Sequence, residues 1–189
     1  MRWEHLFADL EAQLAAEETA ADHADDASRA RSEQGRVRLV DRLRGSTGQT
    51  LSLRCRGAGE LAGQLVDVGV DWVLLVDQQH RDVLVALGTV SAVAGLTAVT
   101  AAPAAEGVVD RALDLRRAAR ALARDRAAVH CLLVDGGVLA GTVDRVGADF
   151  LELAEHPVDQ PRRRAAVTGV RAVPLDALVA LRTAEPARG

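Results

Sequence analysis

LAGQLVDVGVDWVLLVD, residues 61–77, is written a second time as LAGTVDRVGADFLELAE, residues 139–155. Leu61, Ala62, Gly63, Val68, Gly69, Asp71 and Leu75 are identical to Leu139, Ala140, Gly141, Val146, Gly147, Asp149 and Leu153. Roughly two matches would arise by chance over such a window in this composition, so the seven mark an internal repeat. The flanks extend it. Gly59 aligns with Gly137 and Trp72 with Phe150, while Val90, Ala92 and Val93 align with Val170, Ala172 and Val173 across a two-residue insertion. Each copy reads as a helix followed by about five short strands.

The period of the apolar residues supplies the elements. From Thr50 it is two: Leu51, Leu53 and Cys55 face one way, and Ser52, Arg54 and Arg56 the other. Strands are predicted near 50–56, 59–67, 71–77, 82–87 and 90–94, and again near 129–134, 138–146, 149–155, 164–168 and 170–173. Asp135-Gly136-Gly137 is a hairpin signal. Helical spacing is predicted over 36–44 and 104–126, the second with Arg116, Arg120 and Arg124 on one face. Trp3, Leu6, Phe7, Leu10 and Leu14 recur at steps of three and four, which predicts an amphipathic N-terminal helix. A short Leu-rich helix is predicted after Pro174. Residues 1–35 carry three Arg against nine acids, and 36–56 carry six Arg against one Asp. That change of sign sets the first boundary. The expected organisation is an N-terminal helix and acidic tether over 1–35, one unit over 36–103, a helix and second unit over 104–182, and a frayed tail over 183–189.

The 189 residues are 49% hydrophobic and 26% charged, with net charge −4. Such a chain can bury a core, and its global charge makes no case for nucleic acid or an anionic membrane. It has no Lys, Ile, Asn or Tyr, a bias against AT-rich codons that implies a GC-rich bacterial genome. Without Lys there is neither a P-loop lysine nor a Schiff base. Aromatics at 2% nearly exclude a base-stacking platform. No apolar run is long enough to span a membrane, and no secretion signal is visible, so a cytoplasmic protein is expected.

The leading helix, the apolar-x-Gly-x-apolar strands 61–65 and 139–143, and Asp71 and Asp149 at the start of the third strands resemble the Sm/LSm superfamily of small β-barrels. The resemblance covers residues 36–97 and 113–182. It implies a mainly β fold with helices: two tandem five-stranded barrels, each preceded by a helix, with Gly63 and Gly141 bending their strands and Asp71 and Asp149 capping turns. It further implies RNA binding and association of the fourth strand of one barrel with the fifth of another, so that self-association into an oligomer is expected. The family's RNA-binding Asn cannot occur here. Its Arg-Gly pair is replaced by Ala94-Gly95 and Thr168-Gly169, so the uridine pocket does not carry over.

Three functional readings follow. Arg116, Arg117, Arg120 and Arg124 with Arg162, Arg163 and Arg164 make a candidate surface for the phosphates of RNA or DNA, since guanidinium groups suit phosphate. Alternatively, Trp3, Leu6, Phe7, Leu10, Leu14 and Trp72 make a surface for a protein partner or a second copy. Thirdly, Gly57, Gly59 and Ala62 fit G-x-G-x-x-A, with Asp77 as a ribose-binding acid, although the space for an intervening helix is short. The five His show no metal spacing, and nothing assembles a nucleophile, base and oxyanion hole. A non-enzymatic binding protein without metal or cofactor is expected.

Overall fold

The computed structural model describes residues 35, 37–100, 114–158 and 166–184. The described residues from Leu39 onward form one compact unit. Its described residues form two α-helices, α1 (Leu39–Arg44) and α2 (Leu115–Asp125), and ten strands. Those of the first half are β1 (Thr50–Cys55), β2 (Gly59–Val68), β3 (Trp72–Val76), β4 (Asp82–Ala86) and β5 (Val90–Ala94). The second half contributes β6 (Ala128–Leu133), β7 (Val138–Val146), β8 (Phe150–Glu155), β9 (Gly169–Pro174) and β10 (Leu178–Thr183).

All ten strands belong to one antiparallel sheet in the order β5-β1-β2-β3-β4-β10-β6-β7-β8-β9. The expectation of two Sm-like barrels, each shut on itself and preceded by a helix, is therefore corrected. Hydrogen bonding runs without interruption through the β4–β10 junction, where Val83, Leu84 and Val85 lie opposite Arg182, Leu181 and Ala180. Pairing satisfies the backbone groups of two apolar edges that would otherwise stand open.

The cores cross the same junction. One cluster gathers Leu43, Leu51, Leu53, Leu65 and Leu75 from the first half with Leu132, Val179 and Ala180 from the second. The other sets Trp72, Leu84 and Ala86 of the first half among Leu115, Ala119, Leu151, Leu153 and Leu181 of the second. Trp72 is thus a core residue, 7% exposed.

Register shows where the repeat runs. β3 pairs β4 with Val73 opposite Val85, and β8 pairs β9 with Leu151 opposite Val173. Val173 therefore corresponds to Val85, and the alignment of Val90, Ala92 and Val93 with Val170, Ala172 and Val173 is corrected. The extra residues of the second copy lie in the link over 156–168, against 77–81 in the first. Val90, Ala92 and Val93 correspond instead to Leu178, Ala180 and Leu181, with the same bulge in both pairings. The predicted tail helix is also corrected: a 3-10 turn over Leu175–Ala177 leads straight into β10.

The dinucleotide reading loses its geometry. Cys55 pairs with Gly59, so Gly57 (φ 78°) sits in the turn of a β-hairpin. Ala62 then lies within β2, where the fingerprint needs the first turn of a helix.

Candidate functional site

α2 lies beside the junction of the halves. Asp114 caps it by accepting from the Arg117 N–H at 2.9 Å. Asp71, at the start of β3, accepts from the Leu115 N–H at 2.8 Å. Two carboxylates thus serve the unpaired N–H groups of one helix end, one of them supplied from the other half of the chain. Burial holds the Asp71 carboxyl above its ordinary range, and the neighbouring charge of Asp114 adds to this against the pull of the Leu115 N–H.

A cleft of about 810 Å³ opens between α2 and the sheet. Trp72, Leu74, Leu84 and Leu181 give it an apolar lining, and Ala118, Ala121, Leu122 and Ala123 contribute from the helix. Its charges are balanced: Arg117, Arg120, Arg124 and Arg145 stand against Asp67, Asp82, Asp125 and Asp144. The Arg120 guanidinium reaches the Val146 carbonyl at 3.4 Å, and Arg145 lies 3.5 Å from Glu152. Asp82 is the acid set deepest by circumstance. Its carboxylate takes no hydrogen bond or ion pair among the described residues, and burial raises its pKa above the ordinary 3.8.

Of the residues singled out from the sequence, Arg117, Arg120 and Arg124 line this cleft together with Trp72. Arg116 points elsewhere, 3.6 Å from Asp114. Arg162, Arg163 and Arg164 lie outside the described residues, as do Trp3, Leu6, Phe7, Leu10 and Leu14. Asp77 organises the β3–β4 turn. It accepts from the Gln79 and Arg81 N–H groups and pairs with the Arg81 side chain at 2.8 Å. Burial alone would raise its pKa, but the bonds from Arg81 outweigh it and hold the carboxyl below its ordinary range.

No family model, curated protein or solved structure matches this chain.

Sequence reasoning missed Leu74, Leu84 and Leu181 as cleft residues, and Asp67, Asp82 and Asp144 with them. They come from separate strands and meet only because β4 pairs β10, which no local pattern announces. His156 was also read as one of several scattered histidines. In the structure it is 3% exposed, with Nδ1 2.8 Å from the Pro157 carbonyl and Nε2 2.8 Å from Thr142 Oγ1. A carbonyl only accepts, so Nδ1–H donates to it, while Nε2 pairs with the Thr142 hydroxyl. That arrangement is structural. Among the described residues no group of three His, Cys, Asp or Glu is placed to hold a metal ion.

Proposed function

We propose that this chain is a non-enzymatic binding protein whose cleft beside α2 takes a segment of a protein partner. The carrying observation is the cleft's composition: an apolar lining that includes Trp72, bordered by arginines and aspartates in equal number. An extended peptide with an apolar side chain between charges of both signs matches it, because the apolar group is desolvated while each charge meets its opposite at a wet rim. A nucleic acid backbone matches less well. The row Arg117, Arg120 and Arg124 would attract phosphates, but the four aspartates of the same cleft would repel them.

Selection from a displayed peptide library, followed by titration of the best peptides, tests this reading. A Trp3→Phe chain leaves Trp72 as the sole indole, so its fluorescence reports occupancy of the cleft. Peptide binding should change that emission and should be lost in Ala121→Phe, where a large ring fills the cleft without adding a second indole. Binding of RNA in its place, weakening steeply with salt, would overturn the peptide reading in favour of the arginine surface.

A further inference from the structure

We propose that Arg182, His130 and Arg81 form a binding site for a dianionic oxyanion, the phosphate group of a small molecule. The register of three adjacent strands brings them together. Arg182 of β10 lies directly opposite His130 of β6 on one side and opposite Val83 of β4 on the other. Directly opposite residues of an antiparallel pair project from one face of the sheet. Arg81 stands two residues before Val83, and its carbonyl still accepts from the Asp77 N–H of the neighbouring strand at 3.0 Å. Its side chain therefore shares that face, diagonal to Arg182. Both guanidinium groups are near the imidazole: burial lowers the His130 pKa below the ordinary 6.5, and the charges of Arg182 and then Arg81 lower it further. All three residues are partly exposed, so a ligand can reach them.

Cationic groups directly opposite each other in a sheet cost stability, and nothing among the described residues offsets that cost here. Neither Arg182 nor the His130 ring makes a hydrogen bond or ion pair among them, and Arg182 Nε is buried without a partner. Asp77 is the acid on this face, and it is already neutralised by Arg81 at 2.8 Å. Asp82 turns to the other face and lines the cleft. On β7 the residue opposite His130 is Ala140, with His156 beyond it, and His80 of the β3–β4 turn is exposed. Arg182 and a protonated His130 thus supply two positive charges that only a ligand answers, while Arg81 and Asp77 together add none. An oxyanion of charge −2 matches them, with the guanidinium fork on two oxygens and the ring N–H on a third. A phosphodiester, with one charge, matches half as well. The site lies on the face of the sheet opposite the cleft, so its failure would leave the peptide reading untouched.

Proton NMR titration of the full chain tests it, with the His130 signal assigned by its loss in His130→Gln. Sulfate is the first probe, because it stays dianionic across the range in which histidine titrates. It should raise the His130 pKa by about one unit, where sodium chloride at equal ionic strength does not. By linkage, sulfate should then bind about tenfold more tightly once His130 is protonated than above its pKa. In Arg182→Gln, checked for its fold by circular dichroism, His130 should titrate higher without any anion, and sulfate should bind at least tenfold more weakly. Inorganic phosphate and glycerol phosphate should both bind, the tighter of the two telling a free anion from a monoester, and dimethyl phosphate should bind at least tenfold more weakly than either. A His130 pKa that sulfate moves no further than chloride does would overturn the proposal. Dimethyl phosphate binding as tightly as glycerol phosphate would do so too, as would a folded Arg182→Gln chain with unchanged affinity for sulfate.

Discussion

A single methyl group at Gly63 would meet the backbone carbonyl of Val76 on the neighbouring strand, and one at Gly141 would meet that of Ala154. The two glycines are equivalent, and both mark places where one strand's backbone crosses close over another. Neither backbone can yield without breaking its own ladder, so Gly63→Ala or Gly141→Ala should each cost roughly 2–3 kcal/mol, seen as a lower denaturation midpoint in urea. Their recurrence was legible in the sequence, but there it implies strands bent to close a barrel, whereas the structure shows a close approach to the neighbouring backbone. The acids differ from one another. Asp82 has its folded pKa raised above the unfolded value, so its contribution is most favourable below about pH 4 and declines as pH rises through the folded value. Asp82→Asn should therefore raise the melting temperature at pH 7 and lose that advantage in acid. Asp77 has the opposite sign: its side chain is 10% exposed and its pKa is lowered, so its stabilisation is present at neutral pH and lost as the pH falls through the folded value. Melting of Asp77→Asn against pH should show a deficit at pH 7 that shrinks in acid.

Helix α2 packs Leu115 and Ala119 into the core and has its first turn tied by one carboxylate from outside its own half. Asp71→Ala leaves the Leu115 N–H unpaired and should cost about 1 kcal/mol, whereas Asp71→Asn keeps an acceptor and removes the repulsion from Asp114, so it should melt at or above the unmodified chain. A result with both variants equally destabilised would show that charge, and not the hydrogen bond, is what matters there. Other elements differed in how plainly the sequence spelled them. β1 and β2 alternate apolar and polar residues because one face of each is buried, and Asp135-Gly136-Gly137 turns the chain between β6 and β7 with Gly136 at φ 87°. β10 was misread as a helix for a physical reason. Leu178, Val179, Ala180 and Leu181 are all fully buried, because the strand sits mid-sheet with a core on each face. A continuous apolar run has no period of two, so it cannot be told from a buried helix by spacing. The cleft was half legible on the same grounds: the arginines of α2 fall on one helical face, but the strands that oppose them are brought there by the β4–β10 pairing alone.

At the scale of the molecule the duplication does not produce two independent parts. Each hydrophobic cluster draws residues from both halves, and the only link between the two five-strand sets within the sheet is the ladder of β4 on β10. A disturbance at this seam should be felt on both sides. Leu181 is fully buried, lies opposite Leu84 across the seam and opposite Cys131 on β6, and lines the cleft. Leu181→Ala should cost about 2–5 kcal/mol through lost transfer energy and the cavity left behind. If the halves were separable, that loss would split the heat-capacity trace into two transitions, with the first half, which holds none of the deleted atoms, melting at its original temperature. Because Leu84 and Trp72 pack in the same cluster as Leu181, the expected trace is instead a single transition, shifted as a whole to lower temperature and with equal calorimetric and van't Hoff enthalpies. Two resolved transitions would mean that the seam joins the halves without coupling them.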